Sequence, residues 1–559
     1  MSVLSTEVRA GAYADSIVLM QLQSDLQRLD GILAAGVVMG TAVNLDLLRA
    51  SDLLDAAAQQ AQAEDLIIAI RADTEGQAAA ALSQIDTLMK RRKTNDTGDF
   101  QPRTLGSALR FVPEASWVSI SIPGRYAHRV ADEALDLGCH VFLYSDNVTL
   151  EDELDLKSKA KAQRRLLLGP DCGSAIIGGV GFGFSNVVRP GPIGLVCASG
   201  TGLQAIASEI HQLGSGLSHA IGTGGRDLSS TIRGATARQG LDLLGRDTAT
   251  QVIVLASKTP DRSVSPEILG QALEIDKPVV VLFSGLAAPG HTLGNLYFAR
   301  SLTEAAALAV DVARGDLQPS SLRPDKRANG RHLRGLFAGG TLALEAVQVA
   351  RPFLTPLHSN LGAPGVSDLP DSTVSRGHTI LDLGADEYTV GRLHPMMDQR
   401  LRLERLEQEA ADPETGLILL DVILGRGSQA DPAAELAPIL DQIQSRQGPP
   451  VVALVVGTDE DPQDLQSTAE RLRAVGADVF TDVSRGLAHA VRSCVPPPSP
   501  LDPSVDLVAL QPPAAAINVG LASLREDLVT QDLETVQVDW RPPAGGNDAL
   551  LAILERMKT

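Results

Sequence analysis

Four cysteines in 559 residues, Cys139, Cys172, Cys197 and Cys494, have neither the spacing of a metal site nor the density of a disulfide scaffold. Their scarcity implies a reducing compartment and no metal centre, with most of them serving as small core residues. Positive charge is short as well: 48 Lys and Arg stand against 68 Asp and Glu, a formal net charge of −20. That balance argues against nucleic acid or an anionic membrane as the general partner, so any anion site must be local. No apolar run reaches the roughly 20 residues of a membrane-crossing helix, and residues 1–30 lack a signal-peptide layout. A cytoplasmic protein without a membrane partner is expected. A Gly-x-x-x-x-Gly-Lys-Ser/Thr phosphate loop is also missing.

What is present is 44% apolar residues, enough for roughly three to five packed domains. The chain is organised around residues 193–213, IGLVCASGTGLQAIASEIHQL. An apolar run typical of a strand buried on both faces leads through Ala198-Ser199-Gly200-Thr201-Gly202 into a helical pattern of Leu203, Ile206, Ala207, Ile210 and Leu213. Small residues let a ligand approach the backbone, and the first N–H groups of a helix have no partner of their own, which suits an anion. Small residues also serve simply to make such a turn tight. The pattern recurs at residues 334–350, where Phe337-Ala-Gly339-Gly340-Thr341 stands where Cys197-Ala-Ser-Gly-Thr stood. Two copies of one unit are therefore expected, with two helix ends able to face one charged group.

Five regions follow from the remaining pattern: a small α+β, ferredoxin-like domain over 1–95, a Rossmann-like α/β unit over 103–186, two flavodoxin-like α/β units over 187–318 and 332–496, and an α/β extension over 501–559. Polar, breaker-rich stretches at 93–102 and 315–329 read as linkers, and Pro496-Pro-Pro-Ser-Pro500 as a stiff spacer. The last region, ending in a helix, is expected to dock on a neighbour.

Several residues carry a likeness to a known family. Gly169-Pro-Asp-Cys172, Ser199-Gly-Thr201 and Gly222-Thr-Gly-Gly225 resemble motifs of the α-subunit of succinyl-CoA synthetase, and Gly339-Gly-Thr341 with Leu381-Asp-Leu-Gly384 resembles the ligase domain of its β-subunit. The whole chain resembles the FdrA family, an acyl-CoA synthetase-superfamily group that joins both halves in one polypeptide. The matching residues are Asp15-Ser16, Val38-Met-Gly-Thr41, His394-Pro-Met-Met-Asp398 and Val538-Asp-Trp-Arg-Pro-Pro543. The likeness implies an oligomeric enzyme with companion subunits, acting on a small anionic substrate. For FdrA-type proteins that activity is carbamoyl transfer between carbamoyl phosphate and oxamate in ureide breakdown. For the synthetase it is ADP-forming acid–CoA ligation, with CoA as a possible ligand. Two departures bear on this: the glycine-rich opening of the CoA-binding domain is replaced by the first ~95 residues, and the phosphohistidine motif Gly-His-Ala-Gly is absent. His291, in Pro289-Gly-His-Thr-Leu-Gly294, falls near the expected region with different neighbours.

The candidate site follows from these readings. Ser199, Gly200 and Thr201 with Gly339, Gly340 and Thr341 would hold the phosphate, and Arg226 would neutralise it. His394, with Asp398 four residues on to orient it, is the candidate acid–base group, although a surface or helix-capping role suits such a histidine equally. Asp382 and Asp421, in or at the end of apolar runs, are site carboxylates or backbone caps. Gly425-Arg-Gly-Ser-Gln-Ala430 superficially matches a dinucleotide fingerprint, but the acidic residue that should follow about 20 positions on is missing, and NAD is not expected.

Overall fold

The computed structural model describes residues 2–12, 16–62, 65–91, 101–286, 290, 292–317, 331–390, 392–498, 501 and 504–542. His291, most of both proposed linkers and the closing helix lie outside them. The architecture is α/β in several layers, as the sequence pattern requires: one small antiparallel sheet and three larger sheets built mainly from parallel strands.

The amino-terminal sheet has three strands, with Leu66–Ala72 between Val3–Arg9 and Ile32–Met39 and antiparallel to both. The Ser16–Gln27 and Glu75–Arg91 helices accompany it in β-α-β order. Ile68 and Ile70 point to a core shared with Leu22, Leu26 and Ile85, whereas Ile67 and Ala69 face Leu48, Leu53 and Ala58. Both faces of the central strand are therefore covered, which is why it reads as an unbroken apolar run.

The second sheet draws on both ends of the chain. Ala115–Ile120, His140–Leu143 and Leu167–Leu168 are joined by Ala515–Val519 and Glu534–Val538, all parallel. The region expected as a carboxy-terminal extension thus supplies two of this unit's five strands. Numbered along the chain, the strand order is 3-2-1-4-5, the doubly wound arrangement of a Rossmann-type sheet. Ile517 and Val519 pack with Val118, Ile120 and Val141 in one continuous core.

The third and fourth units repeat each other. In the third, the parallel strands Pro190–Cys197, Leu217–Gly222, Val252–Lys258, Val279–Ser284 and Leu296–Phe298 lie in the order 2-1-3-4-5. In the fourth, His332–Phe337, His378–Asp382, Thr415–Ile423, Val451–Val456 and Asp478–Phe480 take the same order, with two short strands added beyond the second. This is the flavodoxin-like arrangement. Its chain reversal falls between the first and third strands, and ligands of open α/β sheets sit outside the carboxyl ends at that place. Both small-residue turns occupy it.

The two units meet through the far end of the Gly340–Ala350 helix. Ser265 Oγ donates to Pro352 O at 2.9 Å, and the rings of Phe298 and Phe353 meet edge-on at 6.1 Å. Val495, just past the Val483–Cys494 helix, lies against Gly270. The amino end of the Gly340–Ala350 helix therefore faces away from this contact, roughly 16 Å along an axis that rises about 1.5 Å per residue.

Candidate functional site

The turn at Ser199 is closed by its own chain. Ser199 caps the Gly200–Gln212 helix, its Oγ accepting from Gly202 N at 3.1 Å, and Thr201 Oγ1 lies 3.4 Å from the same oxygen. Gly173 packs directly under Gly200, since a Cβ on Gly200 would lie 3.3 Å from Gly173 Cα. The Gly222-Thr-Gly-Gly225 turn is equally close to the Gly169–Pro170 segment: a Cβ on Gly224 would lie 2.3 Å from Pro170 O. Three motifs that the sequence singled out separately thus form one backbone cluster beside the strand ends.

Arg226 follows that cluster but is already engaged. Its Nη2 donates to Val148 O at 2.9 Å and lies 2.8 Å from Glu153 Oε2. Glu153 is buried and shares Lys157, whose Nζ is 2.9 Å from Glu153 Oε1 and 2.7 Å from Asp227 Oδ1. Asp227 in turn accepts the first N–H groups of the Ala235–Arg246 helix, from Thr236 and Ala237. Arg226 therefore belongs to a charge-balanced network joining the second and third units. The sequence could not show this, because Glu153 lies more than seventy residues upstream.

The fourth unit holds the more open arrangement. Gly339 caps the Gly340–Ala350 helix without a side-chain hydrogen bond, unlike Ser199 in the sister unit. Asp382 ends the neighbouring strand and is 9% exposed; its Oδ1 accepts from Gly384 N at 2.9 Å. A Cβ on Gly340 would lie 2.8 Å from Asp382 Oδ2, so the carboxylate borders the helix end. A Cβ on Gly384 would meet Ala338 O at 2.5 Å, His394 Nε2 at 2.7 Å and Asp382 Oδ1 at 3.1 Å. Glycine at this position lets a histidine, a carboxylate and a carbonyl converge.

His394 is thus paired differently from the sequence expectation. Residues 394–398 form a turn rather than a helix, and the helix begins at Arg400. Asp398 turns to Arg400, accepting from Nε at 2.9 Å, and this pairing holds its carboxyl below the usual range. The His394 ring instead lies against Gly384, while its Nδ1 accepts from Met396 N at 3.3 Å. A neutral imidazole accepting at Nδ1 carries its proton on Nε2, the atom that faces Gly384.

Asp421 is enclosed within the strand end. It has no exposed surface, and its Oδ1 accepts from Ala338 N and Arg402 Nη1, both at 2.9 Å. Burial pushes its carboxyl up, opposed by the buried Arg402 guanidinium. It holds the strand end from which Gly339 starts, as Ala256 O does for Ala198 N in the sister unit at 3.0 Å. The dinucleotide-like loop is stitched shut: Gly425 N donates to Gln463 Oε1 at 3.0 Å and Gln463 Nε2 returns to Gly425 O at 2.9 Å. Among the described residues no hydrogen bond or ion pair joins the turn at 199–201 to that at 339–341, and no group of three His, Cys, Asp or Glu is placed to hold a metal ion. No helix of the described residues is long and apolar enough to cross a membrane.

Two stretches of the chain match known families. Residues 336–492 match the family described as CoA-ligase, and residues 1–104 match the family described as AllF, heavy metal-associated domain. Residues 1–104 contain neither cysteine nor histidine, so a heavy metal finds no soft donor there apart from methionine. At the carboxyl edge of the second sheet, where CoA would be expected, the two central strands remain bonded past their ends. Ser121 N donates to Val519 O at 2.9 Å, and Leu521 N to Ser121 Oγ at 2.8 Å.

YahF of Escherichia coli, an uncharacterized protein, is 36% identical over 485 residues, which are 84% of this chain and 94% of YahF. The α-subunit 2 of the ADP-forming succinate–CoA ligase of Archaeoglobus fulgidus is 31% identical over 183 residues, 32% of this chain and 61% of that subunit. The corresponding α-subunit of Aquifex aeolicus is 27% identical over a stretch of the same length. With a ligase-type repeat in its fold and near end-to-end similarity to YahF, the chain belongs to the YahF family within the succinyl-CoA synthetase-like superfamily.

Proposed function

We propose that this chain is a subunit of an acid–CoA ligase-type enzyme, and that its fourth unit handles the phosphoryl end of an acyl phosphate. One observation carries this reading: within the CoA-ligase match, a helix end without a side-chain cap borders a carboxylate and a histidine that converge on one glycine. The N–H groups of Gly340 and Thr341 suit a phosphate oxygen, and His394 Nε2–H donates to the same group. Asp382 then accepts the proton of the attacking nucleophile. The nucleophile bonds to the acyl carbon, the carbon–oxygen bond to phosphate breaks, and inorganic phosphate departs. Relatives named as ligase subunits support a complex with companion chains. Ser199, Gly200 and Thr201 form a second, separate anion position, and Arg226 acts on the fold around it rather than on substrate.

A second reading keeps the same residues and changes the substrate: direct carbamoyl transfer between carbamoyl phosphate and oxamate, as the FdrA resemblance implies. The absence of the phosphohistidine motif Gly-His-Ala-Gly favours it, because direct transfer needs no phosphoenzyme.

The deciding experiment incubates the full chain, alone and with its companion subunits, in two mixtures. Thioester formed from ATP, CoA and a small acid supports ligation. Phosphate released from carbamoyl phosphate only when oxamate is added, without nucleotide, supports transfer. Neither product in any combination refutes both readings.

A further inference from the structure

The hairpin of Ser174–Ile177 and Val180–Gly183 turns through Gly178 and Gly179, both at positive φ, the two-residue turn that suits the twist of its strands. In such a turn the N–H of the first central residue is not used by the turn's own hydrogen bond. Here it finds a partner on the adjoining strand Leu217–Gly222: Gly178 N donates to Nδ1 of the buried His219 at 3.1 Å. The other ring nitrogen, Nε2, faces Asp247 Oδ2 at 3.5 Å. An accepting Nδ1 fixes the neutral ring with its proton on Nε2, towards the carboxylate. Asp247 is itself held, accepting from Thr250 Oγ1 at 2.6 Å and Ala249 N at 3.2 Å.

The same hairpin is where the carboxy-terminal segment meets the third unit. Gly181 N donates to Gln531 Oε1 at 2.7 Å, and Gln531 Nε2 returns to Gly181 O at 2.9 Å. The Gly178 turn also packs on Pro512. At its open end the hairpin reaches the Ser199 turn: Phe184 N donates to Gly173 O at 2.8 Å, and Gln204 Nε2, on the Gly200–Gln212 helix, donates to Phe184 O at 2.5 Å.

We propose that His219 is the bolt of an acid-released latch. Neutral, it fastens the Gly178 turn and with it the carboxy-terminal segment; protonated, it frees the hairpin and loosens the support of the Ser199 turn. A protonated imidazole carries hydrogen on both nitrogens, so Nδ1–H would oppose Gly178 N–H. Burial holds the ring below the usual histidine value, opposed by Asp247, which keeps the latch closed at neutral pH. Among the described residues, the charges around it are Asp247 and, behind Asp247, Lys277, which donates to Leu244 O and Asp247 O. Arg246 turns to Asp242 and Val505 O, and Asp506 caps Leu507–Leu510. The hairpin and the strand Pro190–Cys197, where Gly194 lies opposite His219, carry no charge.

Hydrogen–deuterium exchange of the intact chain, measured beside His219→Gln from pH 7.5 to pH 5, tests the latch. Glutamine keeps an acceptor and does not titrate, and the ratio of the two rates cancels the pH dependence of exchange chemistry. In peptides covering 174–183 and 505–512 that ratio should rise about fivefold or more between the two pH values, because below the ordinary histidine value the open form binds the proton more readily than the closed one. Peptides from 415–423 in the fourth unit should keep a constant ratio. Asp247→Asn removes the charge that lets the closed form tolerate a proton, and should steepen the rise. If His219→Gln fails to fold, the wild-type rate in 174–183 divided by that in 415–423 must show the same rise. A ratio in 174–183 that stays flat to pH 5, a rise shared equally by 415–423, or a shallower rise in Asp247→Asn overturns the proposal.

Discussion

Replacing Gly384 by alanine tests the convergence at the fourth unit with one methyl group. The new Cβ would begin 2.7 Å from His394 Nε2, and reaching ordinary contact near 3.4 Å requires a displacement of about 0.7 Å. The ring can retreat, because His394 is only partly buried. Ala338 O, at 2.5 Å, is backbone held in place by the bond from Ala338 N to Asp421, and moves less easily. Overpacking of this kind costs about 1–3 kcal/mol of stability, whereas misplacing a reacting group by nearly 1 Å lowers rate by up to about 100-fold. The expected result is a folded Gly384→Ala protein whose kcat/KM falls roughly 30- to 100-fold. Phosphate release or thioester formation gives the rate, and differential scanning calorimetry gives the stability. Combined with His394→Ala, the substitution should add little to the loss of rate, because the ring it displaces is gone, while the contact with Ala338 O still lowers stability. A Gly384→Ala protein with wild-type kcat/KM, or losses that simply multiply in the double variant, would refute the argument that this glycine exists to bring His394 and Asp382 together.

Three further outcomes follow from the geometry. His140 and His378 are buried and held neutral, each pulled down to about 3, and in each Nδ1 accepts a backbone N–H, from Leu166 and Leu333. Between their ordinary value and about 3 the unfolded chain binds more protons, so stability falls as pH drops. Each site should lose about 2 kcal/mol by pH 5, and His140→Gln or His378→Gln should flatten the dependence in urea titrations. Lys157→Met removes the charge between Glu153 and Asp227 and should destabilise the junction of the second and third units by about 3–5 kcal/mol, read as a lowered first calorimetric transition; an unchanged transition contradicts the network. Asp398→Asn should leave kcat/KM at the wild-type value, because Asp398 faces Arg400; a clear fall would restore the pairing expected from sequence.

The repeat was legible because two turns of small residues, Cys197-Ala-Ser-Gly-Thr and Phe337-Ala-Gly-Gly-Thr, each stand between an apolar run and a helical pattern, and local order suffices to show it. The three-strand β-α-β sheet at the start was readable for the same reason. The placement of Ala515–Val519 beside Ala115–Ile120 was not, because nothing local records pairing across some 400 residues. Within the site, sequence found His394 and Asp382 but joined His394 to Asp398, since spacing of four suggests a shared helix face; Pro395 instead begins a turn that sends the two side chains apart. Arg226 illustrates the opposite difficulty: a cation beside a glycine-rich turn looks free in sequence, and only the fold shows Glu153 and Val148 O already bound to it.

The central claim is that the helix end at Gly340 and Thr341, with His394 and Asp382 beside it, receives a phosphate-like group. Arsenate, a phosphate isostere visible by anomalous scattering, can be located in crystals of the full chain soaked to saturation. The account predicts a peak within hydrogen-bonding distance of Gly340 N or Thr341 N and of His394 Nε2. A peak found only elsewhere, or none at this helix end, would contradict it.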